Sequence, residues 1–147
     1  MAHRTFFSFH YERDVFRASV VRNSSMTKSD IDPDWIEAGI WEEAKTKGDA
    51  AVKKLITDAL KNTSVTAVLI GAKTSEREWV KEEIKQSEER GNGLFGIYIH
   101  NIKDLDKKID TQGTHPLPSK YLTYDWINDD GYTNLGKWVD AAYDAAH

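Results

Sequence analysis

Cysteine is absent from the 147 residues. Disulfides, thiolate metal ligands and cysteine nucleophiles are therefore excluded together. Proline occurs three times, and no proline-rich or low-complexity linker divides the chain. There is no internal repeat. No apolar run approaches the roughly 18 residues needed to span a bilayer. The opening "MAHRTFFSFH" has no signal-peptide pattern. The expectation is one cytoplasmic domain over 1–147, with no membrane partner. Basic residues are also few: 20 Lys and Arg against 24 Asp and Glu leave a net charge of −4. Surfaces that read phosphate backbones carry basic patches, so the balance argues against nucleic acid. The five histidines show no ligand spacing, so no metal site is expected.

Apolar residues are arranged in two periods. "TFFSF" (5–9) reads as a first strand. In "ERDVFRASVVRNS", Val15, Phe16, Ser19 and Val20 fall at helical spacing. Pro33 stops any helix in the irregular stretch that follows, where "WIEAGIW" has the composition of a short strand. "DAAVKKLITDALKNT" places Val52, Leu55, Ile56, Ala59 and Leu60 on one helical stripe. "SVTAVLIG" (64–71) and "GLFGIYIHN" (93–101) are continuous apolar strands of the kind buried on both faces. Between them a helix is expected from Ser75, where Glu78 three residues on completes a capping box, to Gly91. "IKDLDKKIDTQGTHPLPSKY" is a polar connection with room for a helical turn. "YLTYDW" (121–126) reads as an edge strand, and "NLGKWVDAAYDAAH" as a final helix facing inward through Leu135, Trp138, Val139 and Ala142. Strands alternating with helices predict an α/β fold, a parallel sheet with helices on both faces.

In such sheets ligands sit beyond the carboxyl ends of the strands. That rule selects Ser8, His10 and Tyr11 after the first strand, Ala72 to Ser75 after "VLIG", and His100 and Asn101 after "IYIH". A helix starting beside Thr74 and Ser75 offers free N–H groups that suit a phosphate. His100 reads as a strand-end histidine with its hydrogen bonds met. There is no P-loop, no Gly-x-Gly-x-x-Gly after a strand and no Gly-x-Ser-x-Gly elbow, which removes three common enzyme classes.

The helix in "TSEREWVKEEIKQSEERG" carries six carboxylates between Glu76 and Glu89. Trp79 and Glu83, four apart, share one side. Val80, Ile84 and Ser87 form the adjacent stripe that packs on the sheet. Glu76, Glu78, Glu82 and Glu89 read as solvated. A carboxylate beside an aromatic ring can hold ribose hydroxyls and stabilise an oxocarbenium cation. Spacing alone also permits Glu83 to be one more surface glutamate and Trp79 a packing residue.

The aromatic first strand ending in Ser8, the strand "SVTAVLIG", and Ser75 leading into "EWVKEEI" resemble a TIR domain. That family has a Trp followed four residues later by a Glu and then an aliphatic residue, which Trp79, Glu83 and Ile84 match. "FFSFHYERDVFRASVVRNS", "LKNTSVTAVLIG" and "WINDDGY" resemble more closely the TIR-like proteins of bacterial Thoeris anti-phage systems. The resemblance covers nearly the whole chain. It implies a three-layer flavodoxin-like fold. It also implies an enzyme that cleaves the nicotinamide–ribose bond of NAD and makes a cyclic ADP-ribose-type second messenger for a separate effector protein. NAD would be the substrate, with no resident cofactor, and the protein would act as a homo-oligomer on activation. Glu83 would be the catalytic residue. Phe7, Ser8, His10, Trp41, Thr74 and Trp79 would line the substrate. Strand alternation equally allows Phe7 in the core, and Trp79 can instead orient the helix. Trp41 and the segment from Asp32 to Trp35 fall where TIR domains carry a mobile lid, the BB loop, although the sequence there departs from the plant and animal pattern. The alternative readings are a non-catalytic TIR-type interaction module and a flavodoxin-like binder of another nucleotide.

Overall fold

β-Branched and aromatic runs form the strands of a five-stranded parallel sheet. They are β1 (His3–Ser8), β2 (Ile31–Asp34), β3 (Val65–Ile70), β4 (Gly93–Tyr98) and β5 (Thr123–Asp125), in the spatial order β2-β1-β3-β4-β5. The structure is a computed structural model describing residues 3–25, 31–36 and 38–147. The helices are α1 (Val15–Ser25), α2 (Ala38–Lys47), α3 (Asp49–Leu60), α4 (Glu78–Arg90) and α5 (Gly131–Ala146), with a 3₁₀ turn at Thr74–Glu76. This is the expected α/β architecture, with the strand order of flavodoxin-like folds.

The middle strands are buried as their sequences require. All six residues of β3 are inaccessible, and five of the six in β4. On one side α4 packs against β1, β3 and β4, with α3 alongside. α5 packs against β1, β3 and β4, and contacts α1. The predicted inward faces of α3 and α5 hold: Val52, Ile56 and Leu60 are buried, as are Leu135, Trp138, Val139 and Ala142. β5 is a short edge strand, as read. No helix of the described residues is long and apolar enough to cross a membrane.

Four local expectations are corrected. α1 is a helix, but its buried face is Arg17, Ala18, Val21 and Ser24, continued by Asp14 just before it, while Val15 and Phe16 are exposed and Ser19 and Val20 half-buried. Periodicity reports a helix more readily than its phase, and here polar side chains share the inner face. "WIEAGIW" is not a strand: β2 lies upstream, and most of this segment enters α2. Pro33 stands within β2, at the sheet's edge, where a missing ladder N–H is tolerated. The capping box does not form. Chain from Thr74 to Glu76 makes a 3₁₀ turn, α4 begins at Glu78, and its N-cap Arg77 makes no side-chain cap bond. The connection after β4 holds turns and no helix. Gly91 does end α4, in the left-handed region at φ 82°. The segment from Asp32 to Trp35, anticipated as part of a lid, lies mostly in β2, and Trp41 lies in α2; the neighbouring residues 26–30 and 37 lie outside the described residues.

Candidate functional site

The sheet edge at the carboxyl ends of β1 and β3 gathers the chemistry. Ser8 ends β1 and pairs with Val68 in register. Side chains alternate along a strand, so Ser8 faces α4 and Phe7 faces the other way. Phe7, wholly buried, belongs to the core and is not brought to Glu83.

Glu83 is 0% exposed. Helical facing put it beside the inward stripe; it lies within that stripe, with Val80, Ile84 and Ser87. Ser8 donates to Oε1 at 2.7 Å, and the Tyr11 hydroxyl donates to Oε2 at 3.1 Å. Burial pushes the carboxyl up to about 8, against the opposing pull of those two bonds and of the Arg77 charge. Burial, and then the neighbouring Glu83, hold the Tyr11 hydroxyl well above its ordinary value, so it remains a donor. Of the other carboxylates on this helix, Glu78, Glu88 and Glu89 are exposed, and Glu82 is half-buried and accepts a bond from Gln86.

An aromatic layer closes over the pair. Tyr11 stacks on Trp41 of α2 at 4.6 Å and leans on Phe9 at 4.4 Å. Trp41 meets Trp79 edge-on at 6.3 Å. Trp41 is fully buried, and its indole Nε1 has no hydrogen-bond partner among the described residues. Trp79, half-buried, orients α4 through this contact and does not itself touch the Glu83 carboxyl by hydrogen bond. Above the layer, Glu12 accepts from Lys45 of α2 at 2.7 Å and from Arg77 at 3.3 Å. The Lys45 bond and then the Arg77 charge hold the Glu12 carboxyl below the usual carboxylate range. One exposed side chain thus ties the helix carrying Trp41 to the start of α4.

The remaining expected residues sit around this centre. His10 is half-buried; burial and then Arg77 lower its pKa, so the neutral imidazole is favoured, and its Nδ1 is unpartnered. Thr74 is buried and works on the backbone, its Oγ1 accepting from the Gly71 N–H at 2.8 Å. His100 stands further along the edge, with its Nδ1 also unpartnered, contrary to the expectation of a satisfied side chain. Sequence reasoning placed Tyr11 at this edge without giving it a role, and did not single out Glu12 or Asp14. Nothing in their local spacing distinguishes them; a loop after β1 aims all three. Among the described residues no group of three or more His, Asp or Glu could hold a metal ion. Open cavities of about 320 and 440 Å³ lie at the far end of β4 and between α3 and α4, and neither is lined by Glu83.

A buried carboxyl offering two oxygens, two hydroxyl donors fixed on it and an aromatic cover make a site suited to a sugar and a flat ring. Comparison with known proteins places the chain in a family. The family model for the Thoeris protein ThsB, TIR-like domain, matches residues 6–104, from β1 to beyond β4. The chain is 42% identical over 146 residues to a protein of Bacillus cereus (strain MSX-D12) named "Putative cyclic ADP-D-ribose synthase ThsB1", covering 98% of this chain and 75% of that protein. On these two matches the chain belongs to the family of Thoeris ThsB TIR-like domains.

Proposed function

We propose that the protein consumes NAD, breaking the nicotinamide–ribose bond and closing the remaining ADP-ribose into a cyclic second messenger for a Thoeris effector. The observation that carries this reading is the Glu83 carboxyl, buried at the carboxyl edge of β1 with Ser8 and Tyr11 bonded to its two oxygens. The relative's printed name describes the same product class.

The chemistry asks little of the protein beyond placement. The C1′–N bond breaks with its electron pair going to nicotinamide, which leaves as a neutral molecule. Positive charge appears at C1′ and the ring oxygen. Ionised Glu83 stabilises that cation and holds the ribose hydroxyls. A nucleophile of the substrate's own adenosine half then attacks C1′, and one proton is released. Water is the competing nucleophile, and the aromatic cover of Tyr11, Trp41 and Trp79 excludes it. Ser8 and Tyr11 keep the carboxyl oriented, the neutral His10 stands at the rim where the rest of the dinucleotide passes, and buried Thr74 holds the backbone after β3 in place. The protein holds no cofactor of its own in this scheme.

In the structure the cover is shut, so NAD enters only when α2 moves from Tyr11. Assembly into a homo-oligomer would favour that movement. Incubation with NAD, with nicotinamide and cyclised product followed by mass spectrometry, tests the proposal. Glu83→Gln should lower turnover by about a hundredfold or more. A folded Glu83→Gln protein with wild-type turnover would refute the assignment.

A further inference from the structure

Glu83 is not the only carboxyl buried at this edge. Asp14 is 1% exposed and immediately precedes α1, its carbonyl accepting the Ala18 N–H at 2.8 Å. Its side chain lies over Gly71, just past β3. A Cβ on Gly71 would stand 2.2 Å from Oδ2, so only glycine leaves room for the carboxyl. β1 and β3 are the neighbours at which the strand order reverses. The crevice between the loops that follow them is where open α/β sheets take ligands.

The hydrogen bonding of Asp14 is thin for its depth. Thr74 Oγ1 stands 3.4 Å from Oδ2, and Oδ1 has no partner among the described residues. Two nearby arginines are spent elsewhere. Arg13 grips Asp110 with contacts of 2.7 and 2.9 Å, and Arg17 donates to the Ile102 and Lys108 carbonyls at 2.7 and 2.9 Å. Burial raises the Asp14 carboxyl above its ordinary range. Unfilled lone pairs on a buried carboxyl are costly, and a ligand site is where a fold retains them.

On the NAD reading above, we propose that Asp14 is a second substrate-binding carboxyl, accepting hydrogen bonds from the adenosine-side ribose hydroxyls. A vicinal diol fills two acceptor oxygens at once, and an acidic side chain performs this service in other dinucleotide folds. A carboxylate repels the phosphates, and Glu83 is engaged with the nicotinamide-side ribose, which leaves the second diol. Movement of the β1–α1 loop with the aromatic cover admits it.

The plain structural role for Asp14 is to pack over Gly71 at the start of α1, where its backbone carbonyl accepts the Ala18 N–H. Asp14→Asn keeps that shape and the backbone bond while removing the charged acceptor. Calorimetric titration would use the Glu83→Gln protein, which keeps NAD intact, at concentrations where wild type turns NAD over. NAD and its analogue lacking the adenosine-side 2′-hydroxyl are the probes. Adding Asp14→Asn should weaken NAD binding about ten- to a hundredfold. The deoxy analogue should lose a similar factor on the Glu83→Gln protein and little further on the double variant. A folded double variant that binds NAD undiminished, or still discriminates fully between the probes, overturns the Asp14 assignment and leaves the NAD reading standing. A Glu83→Gln protein that binds no NAD overturns both.

Discussion

Glu83 binds its proton more tightly in the folded protein than in the unfolded chain, because burial lifts it from 4.5 to about 8. Linkage then fixes the sign. The proton's contribution to stability is complete below about pH 4.5 and is lost as the pH rises toward 8. Each pH unit in that window costs up to about 1.4 kcal/mol. Glu83→Gln has no proton to lose, and its amide can serve one hydroxyl as acceptor and the other as donor. Its melting temperature relative to wild type should therefore climb by several degrees between about pH 5 and about pH 8. Thermal melts across a buffer series measure this; a constant difference would contradict it. On the proposed role of Glu83 the same balance bears on catalysis, since the ionised form is the one that would stabilise the cation. Opening the cover hydrates the carboxyl and lowers its pKa, so access and activation are coupled at this residue.

At the scale of elements, close approach decides the design. β4 begins against α5 so tightly that a Cβ on Gly93 would stand 2.2 Å from the Ala142 carbonyl oxygen. The opposing atom is backbone and cannot swing aside. Gly93→Ala should destabilise the protein by about 3 kcal/mol, read from the urea midpoint with an unchanged slope; a loss within error would show that α5 can shift. Elements were also where sequence reading succeeded unevenly. The long apolar strands and the stripe of α3 were legible because many residues repeat one period. α1 was legible as a helix but not in its orientation, since its inner face includes Arg17 and Ser24. The stretch around Trp41 is short, and its closely spaced apolar residues fit a strand as readily as a helix.

The whole molecule pairs a rigid sheet with a covered site. Tyr11 comes from the β1–α1 loop, Trp41 from α2 and Trp79 from α4, and Glu12 joins α2 to α4 through Lys45 and Arg77. Exposed ion pairs of this kind hold by about 1 kcal/mol or less each, so the main cost of opening the cover is the exposure of buried Tyr11 and Trp41. Subunit contacts that favour the open arrangement would raise its population. Specific NAD turnover should then rise as protein concentration increases over about a hundredfold range, in step with oligomer formed. Turnover per subunit that stays flat while the oligomer appears would contradict this.

By itself the sequence determined the α/β class, the buried strands and the one glutamate of six that faces inward. Local periodicity and strand ends encode those features over short spans of chain. Only the tertiary structure decided that Ser8 and Tyr11 both reach Glu83, that Phe7 turns away, and that Asp14 settles on Gly71. Those contacts join residues about 60 to 75 positions apart. Their geometry depends on sheet register, helix phase and a glycine's missing Cβ, none of which a linear pattern carries.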